Sequence, residues 1–362
     1  MRRTLRARIC LPALLTLTAV GLGSATAGPA SAAADPAPGA APAPGVAATA
    51  VQYARHSALE RDLGDRTAGS YLDAASGELV VTVTDAEAAE QVRATGARAE
   101  LVPRSAAQLR SAMDTLQAKA RITGTSWGID PRTNQVAVEA DSSVSMSDMA
   151  RLARVAATLG DSVRITRVPG VFTEEVAGGD AIYGGGYRCS AAFNVSKGTT
   201  RYFLTAGHCT NAASSWSATS GGPSIGTREG TSFPTNDYGI VRYTNGSEPA
   251  GNVNLYNGSY QDIGSAADAI VGQSLRKSGS TTKVTSGTVT AVNVTVNYSD
   301  GPVYNLVRTT ACSAGGDSGG AHFAGSTALG IHSGSSGCTG TNGSALHQPV
   351  REALSAYGVA VY

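Results

Sequence analysis

Three short segments carry the side chains best suited to chemistry: Thr205-Ala206-Gly207-His208-Cys209, Asn236-Asp237-Tyr238-Gly239-Ile240-Val241 and Gly315-Gly316-Asp317-Ser318-Gly319-Gly320. A serine hydroxyl is a weak nucleophile at neutral pH. It needs a base within hydrogen-bond reach and a third group that orients the base. Ser318 is the candidate nucleophile, His208 the base and Asp237 the orienting carboxylate, which fixes the ring tautomer and stabilises the imidazolium without taking the proton itself. The glycines around Ser318 permit backbone conformations that a side chain forbids. The N–H groups of Gly316 and Ser318 can therefore converge on one point as an oxyanion hole, in which one donor is worth ~2.7–4 kcal/mol. Each segment alone is a modest signal, and Gly-Asp-Ser-Gly by itself is only a turn. Their order along the chain, His then Asp then Ser, is one of the few in which such triads occur.

The elements that must hold these residues are short strands. With 362 residues, the chain has length for two domains at about 150 residues each. Hydrophobic residues make up 42%, enough for a sizeable core, while charged residues are 15%, below the ~25% of an average chain. Forty-four glycines against five phenylalanines point to many tight turns. Charge separates two halves: 18 Lys+Arg and 18 Asp+Glu precede Val176, and only 10 and 9 follow from there on. The net charge of +1 argues against nucleic acid or an anionic membrane surface as the main partner, since both need a basic excess.

In the first half, Glu78–Thr84 reads as a strand, Asp85–Thr95 as a helix with Asp85 at its N-cap, and Leu109, Met113, Leu116 and Ala120 fall on one helical face. Asn134–Glu139 reads as a strand, Met149, Leu152, Ala156 and Leu159 as a second helical stripe, and Val163–Val168 as a strand. This is a small α/β segment without a catalytic cluster, and its lone His56 reads as a solvated surface residue. In the second half Tyr202–Thr205, Gly239–Tyr243, Val289–Val296, Val303–Arg308 and Leu329–His332 read as strands. Val292, Val294 and Val296 alternate with polar residues, the mark of a half-buried strand. Pro349–Tyr357, followed by Gly358, is the one helix candidate there.

The N-terminus carries an address. Arg2, Arg3, Arg6 and Arg8 precede an apolar run from Ile9 to Leu22 and then Ala25-Thr26-Ala27, the pattern of a secretory signal peptide over residues 1–33. No later stretch reaches ~18 consecutive apolar residues, so no membrane span is expected. Residues 34–50 form an Ala/Pro linker. Apart from Cys10, the cysteines are Cys189, Cys209, Cys312 and Cys338, an even number in an exported domain, which favours disulfides. Of the three possible pairings, Cys189–Cys209 with Cys312–Cys338 is the simplest, each closing a loop worth ~3 kcal/mol. A zinc site is the rival reading, but no two of these cysteines are separated by only two residues.

The three segments resemble those of chymotrypsin-like serine peptidases, in particular the secreted bacterial streptogrisins, and the resemblance covers essentially all of residues 176–362. The upstream α/β segment, residues 51–175, looks like a pro-region of the α-lytic protease type. The resemblance implies an all-β catalytic domain of two six-stranded antiparallel β-barrels with a C-terminal helix, preceded by a small α/β pro-domain. It implies hydrolysis of peptide bonds, with proteins or peptides as substrates and no cofactor or metal. Asp317 carries over as the buried carboxylate that shapes the Ser318 loop, with Arg276 or Lys277 as its cation. The rival from another class is a secreted binding module that retains a dead protease fold.

By the same resemblance, Ser333, Gly334 and Ser335 form an extended edge that pairs with the substrate backbone, and Ser313, His332, Ser335 and His347 point into the pocket for the residue before the scissile bond. His322 sits behind, linking the two pocket histidines. This departs from the streptogrisins that take large apolar residues, lacks the acidic floor of a trypsin-like pocket, and looks like the glutamyl endopeptidase branch. A buried carboxylate needs hydrogen bonds and a compensating charge, and hydroxyl and imidazole donors can supply them. A carboxylate neighbour also favours the protonated imidazole. The competing readings are a three-histidine metal site, which lacks a usual ligand spacing, and satisfied core histidines beside a pocket for large apolar side chains. The composition boundary falls at Thr173-Glu174-Glu175-Val176, where an enzyme cutting after glutamate could cut itself at Glu175–Val176. The pro-region is expected to assist folding of a slow-folding barrel domain and to mask the site; the enzyme is expected to be extracellular and monomeric.

Overall fold

The computed structural model describes residues 45–169, 173–174, 179–246, 248–339 and 342–362. The expected signal peptide, residues 34–44 of the linker and the Glu175–Val176 bond lie outside the described residues.

The first half contains α1 (Ala50–Leu63), β1 (Thr67–Leu72), β2 (Leu79–Val83), α2 (Ala86–Ala94), β3 (Arg98–Leu101), α3 (Ala106–Lys119), β4 (Thr125–Asp130), β5 (Gln135–Ala140), α4 (Met146–Ala157) and β6 (Val163–Arg167), then a two-residue strand β7 (Thr173–Glu174). Local chemistry explains the helices. Asp85 caps α2 by accepting from the Ala88 N–H, and Ala88, Ala89 and Val92 form its buried face. Ser105 and Gln108 form a capping box on α3, which buries Leu109, Ala112 and Leu116. His56 is not a solvated residue: its Nδ1 lies 2.7 Å from Ser70 Oγ, because α1 lies against β1.

The second half contains β8 (Asp180–Gly184), β9 (Tyr187–Ala191), β10 (Asn194–Lys197), β11 (Thr200–Thr205), α5 (Gly207–Ala212), β12 (Ser215–Ser217), β13 (Ser224–Ser232) and β14 (Tyr238–Tyr243). After β15 (Asn252–Asn254), β16 (Tyr260–Asp262) and β17 (Ser265–Ala266) come β18 (Ser274–Gly279), β19 (Lys283–Tyr298), β20 (Gly301–Thr309), β21 (Ala321–Ala324), β22 (Thr327–Thr339), β23 (Asn342–Pro349), α6 (Val350–Tyr357) and β24 (Ala360–Val361). One sheet runs β24-β10-β11-β14-β13-β12-β8-β9. The other runs β18-β21-β22-β23-β20-β19 and closes on itself through β18–β19, a six-stranded antiparallel barrel. α6 starts after Pro349 and ends at Gly358, which is left-handed at φ 63°.

The barrel sheet does not stop at its own strands. β4 pairs antiparallel with β19 in the register Val292↔Ile129, Thr295↔Trp127 and Val296↔Ser126, and β5 and β6 continue the sheet. This explains why the alternation read at Val292–Val296 does not persist. Thr295 and Asn297 are buried along with Val294 and Val296, since the first half covers what would otherwise be a free edge. The buried Arg308 of β20 forms an ion pair at 3.1 Å with Glu139 of β5. A second contact lies at Ile270–Ser274. Leu72 N–H donates to the Val271 carbonyl at 2.7 Å, and Val46, at the end of the expected linker, pairs with Gln273.

Candidate active site

His208 lies on α5 just after β11, and Asp237 lies just before β14. β11 and β14 are paired with Thr205 opposite Gly239, so the two side chains meet at the end of one strand pair. The His208 N–H donates to Asp237 Oδ1 at 2.9 Å, and His208 Nδ1 lies 3.0 and 2.9 Å from Oδ1 and Oδ2. With Nδ1 held as donor, the ring presents Nε2 as the acceptor, the tautomer a general base requires. Asp237 is fully buried. Its main-chain N–H donates to Gln348 Oε1 at 2.9 Å, and Ser333 Oγ donates to its Oδ2 at 2.7 Å. Cys209 is disulfide-bonded to Cys189 of β9, which ties α5 to the first sheet; Cys312 is bonded to Cys338.

Ser318 occupies the turn before β21. The Gly319 N–H donates to the His332 carbonyl at 2.8 Å, and the His332 N–H to the Gly320 carbonyl at 2.8 Å, so the turn is fastened to β22. Gly319 has φ 82°, and any side chain there would run into Thr205 Oγ1 and the Ser190 carbonyl. Its lack of one lets the serine turn approach the segment that leads to His208. The hydroxyl of Ser318 donates to the Ser333 carbonyl at a long 3.5 Å. Among the described residues, neither the Gly316 nor the Ser318 N–H has a hydrogen-bond partner, as an oxyanion site requires.

The cation facing Asp317 is Lys277, with Nζ 2.6 Å from Oδ2 and both side chains fully buried. Arg276 instead lies over the Phe323 ring. Asp317 also accepts from the N–H groups of Ala314, Thr281 and Thr282 at 3.1, 3.1 and 3.2 Å. Burial works to raise its carboxyl, but the Lys277 charge, with hydrogen bonds from Lys277 and Thr282, outweighs that and holds it below the usual carboxylate range.

The three remaining histidines of this half converge, and the strand register shows how. His332 on β22 stands opposite His347 on β23, while His322 on β21 stands opposite Gly330 on β22. His322 and His347 are thus two strands apart, yet their ring centroids are 4.4 Å apart. The contact crosses β22 at Gly330, where a side chain would collide with the His347 ring. His322 Nε2 lies 3.1 Å from His332 Nδ1, with ring planes 8° apart, so His322 links the other two. All three rings are fully buried, as are Ser313, Ser333 and Ser335. Ser313 Oγ, His322 Nδ1 and both nitrogens of His347 have no hydrogen-bond partner among the described residues. Gly334 and Ser335 pair antiparallel with Glu174 and Thr173 of β7, so the β22 edge already carries an extended segment.

Gly330, Gln348 and Tyr298, which bonds Ser333, were not singled out by sequence reasoning. An isolated glycine inside an apolar strand, as in Leu329-Gly330-Ile331, signals close backbone approach and could have marked the first. The other two act through partners distant in sequence and left no local signal.

The buried rings give a pH dependence. Burial first, then the neighbouring ring charge of His332, pushes His347 down to about 3; burial, then His347, His332 and Lys277, holds His322 well below the ordinary range. In the unfolded chain these rings take up protons near 6.5. Between roughly pH 6.5 and 3 the unfolded state therefore binds more protons, and stability falls as pH falls through that window, with no contribution above it. Two pH units below 6.5, the His347 ring costs ~3 kcal/mol, and His322 adds to the loss in the same direction. Denaturation midpoints measured from pH 7 to 4.5 should drop, and a His347→Leu variant should show a shallower drop; an equal slope in the variant contradicts the assignment.

Two antiparallel β units, one holding a histidine–aspartate pair and the other a serine turn, define a serine protease preceded by an α/β pro-region. Family models agree. One described as Trypsin matches residues 176–356, one described as alpha-lytic protease pro N-terminal matches residues 40–102, and one described as alpha-lytic protease prodomain matches residues 104–160. The chain belongs to the trypsin family of serine proteases, in the group that carries an alpha-lytic-type prodomain. It is 70% identical to "Serine protease 1" of Streptomyces fradiae over 362 residues, all of both chains. It is 80% identical to "Glutamyl endopeptidase 2" of Streptomyces griseus over 187 residues, 52% of this chain and 100% of the relative. A solved structure described as a glutamic acid specific serine protease that utilizes a novel histidine triad in substrate binding is 82% identical, with a TM-score of 0.51, over 51% of this chain and 99% of that one. Among the described residues no helix is long and apolar enough to cross a membrane.

Proposed function

We propose that the chain is a secreted serine endopeptidase, made as a pre-pro-enzyme, that hydrolyses peptide bonds after glutamate and less readily after aspartate. The observation that carries this reading is a set of buried polar atoms near β22 that have no hydrogen-bond partner among the described residues: Ser313 Oγ and the ring nitrogens of His347. Such groups are costly unless a ligand satisfies them, and a carboxylate, which only accepts, is the matching ligand for hydroxyl and imidazole donors. Aspartate is one methylene shorter, a change worth ~1–3 kcal/mol in a fitted pocket, and the donors it leaves unpaired add to that. The name and title of the two relatives with glutamate specificity support the same preference.

In the proposed reaction Ser318 Oγ attacks the carbonyl carbon as His208 Nε2 takes its proton, and the Gly316 and Ser318 N–H groups bind the oxyanion. The imidazolium, steadied by Asp237, gives that proton to the leaving amine as the C–N bond breaks. This leaves an acyl-enzyme ester on Ser318. Water then attacks the ester with His208 again as base, which releases the acid and restores the hydroxyl.

The proposal divides the chain into a signal peptide (1–33), a linker (34–50), a pro-region (51–175) and a monomeric, extracellular enzyme (176–362). The strand β7 on the β22 edge, directly upstream of Glu175–Val176, supports self-cleavage there and masking of the site until then. Glutamate is also scarce in the enzyme half: of the chain's eleven, only Glu229, Glu248 and Glu352 lie beyond residue 175, and Glu248 precedes Pro249. The test is kcat/KM for peptides with Glu, Phe or Lys before the scissile bond, in the wild type and in a Ser335→Gly, His347→Phe double variant. The wild type should prefer Glu and the variant should shift toward Phe. An undiminished Glu preference in the variant contradicts the pocket assignment.

A further inference from the structure

Tyr298, the last residue of β19, is buried, and its phenol oxygen lies 3.1 Å from Ser333 Oγ. Ser333 Oγ lies in turn 2.7 Å from Asp237 Oδ2. The direction of the protons follows from inventory. A serine hydroxyl has one proton and an ionised carboxylate has none to give, so the Ser333 proton points to Asp237. The phenol must then be the donor to Ser333 Oγ. We propose that Tyr298 is a positioning residue for the reaction: its phenol locks the Ser333 hydroxyl toward Asp237 and polarises it, and so tunes how strongly Asp237 draws on His208. The proposal rests on the reading of His208, Asp237 and Ser318 as the reacting triad.

The surroundings make this more than one contact. The hairpin of β19 and β20 that carries Tyr298 also holds the main chain just before Asp237. The Thr235 N–H donates to the Pro302 carbonyl at 2.9 Å, and the Tyr304 N–H to the Thr235 carbonyl at 2.9 Å. Gln348, which accepts from the Asp237 N–H, donates to the Tyr304 carbonyl at 3.3 Å. One hairpin therefore fixes Asp237 from its backbone and, through Tyr298 and Ser333, from its carboxylate. The titratable groups along this chain of bonds are Tyr298, Asp237 and His208, with the Phe233 ring edge-on to His208 at a centroid distance of 5.8 Å. Tyr298 also packs with Val294, Val296, Val303, Leu306 and Leu346, a role that a phenylalanine would keep.

The experiment measures the pH dependence of inactivation of the mature enzyme by diisopropyl fluorophosphate, which reacts with the activated serine and does not depend on which side chain the specificity pocket prefers. Losing the phenol weakens the Ser333 donor, leaves Asp237 more basic and favours the imidazolium. In Tyr298→Phe the acid limb should move to higher pH by about 0.2–0.6 unit, the effect of ~10–30% polarisation on a charge-assisted bond. Ser333→Ala should move it further in the same direction, and Tyr298→Phe should add nothing in that background. Site-specific 3-fluorotyrosine at 298, a stronger donor in the same ring, should move it to lower pH. A wild-type profile in both Tyr298 variants, or a Tyr298→Phe shift that persists in Ser333→Ala, overturns the proposal. Failure of the reagent to label Ser318 in the wild type would instead overturn the triad reading.

Discussion

A Ser318→Ala chain is expected to accumulate as an uncut precursor, and the domain, once released by other means, should lose roughly 10⁶ in kcat. The loss is that large because the members of such a triad act as a unit; what survives comes from the oxyanion donors and substrate binding. The maturation half of the prediction follows from β7. Thr173 and Glu174 lie on Ser335 and Gly334 of the same chain, so the first cut should be unimolecular and should depend on that chain's own serine. N-terminal sequencing of wild-type product should begin at Val176. Processing of the alanine variant at the wild-type rate in a protease-free host, or a mature terminus that does not follow glutamate, contradicts it.

The second large effect is expected at Lys277. Its ammonium and the Asp317 carboxylate are both inaccessible to solvent. Removing one partner of such a pair leaves an uncompensated buried charge and costs ~3–5 kcal/mol. For a domain of this size that corresponds to a fall in the denaturation midpoint of roughly 6–20 °C. Lys277→Met should therefore be strongly destabilised. It should also lose activity, because Asp317 anchors the turn that presents Ser318 and the oxyanion donors through its bonds to Ala314, Thr281 and Thr282. The carboxyl is held below its usual range, so the pair's contribution is complete above the unfolded carboxylate value near ~4 and is lost only as pH falls through the lower folded one. Lys277→Met with Asp317→Asn should regain much of the stability, since neither charge then remains buried alone. A single Lys277→Met variant with wild-type midpoint and activity contradicts the role.

Asp317 has its cation within β18, in the same sheet that carries the Ser318 turn. In the proposed precursor, the segment that masks the site is β7 on the β22 edge.

Short local patterns gave the elements that hold the chemistry. Asp85 before an apolar-periodic run, the stripes through Leu109 and Leu152, and Pro349 with Gly358 around a helix each act within one or two turns of chain, and each is found where it was read. What stayed hidden depends on contacts far apart in sequence. The docking of β4 on β19 joins residues more than 150 positions apart and buries Thr295 and Asn297, whose polarity suggested an exposed face. The partner of Asp317 could not be chosen between two adjacent cations, because strand alternation decides it: Lys277 points inward while Arg276 turns to Phe323. That the three histidines meet was expected from the family resemblance and not from their spacing; what stayed hidden is Gly330, whose missing side chain opens the path across β22.

The most direct test of the central claim, that the histidine and serine donors recognise a carboxylate, is a matched pair of peptides. They differ only in Glu or Gln before the scissile bond and are assayed on the processed enzyme. The two side chains have nearly the same shape, so the comparison isolates the acceptor-only, charged group. The account predicts that kcat/KM for Glu exceeds that for Gln by about a hundredfold or more, the equivalent of ~2.7 kcal/mol. Equal rates for the pair, or faster cleavage after Gln, would contradict it.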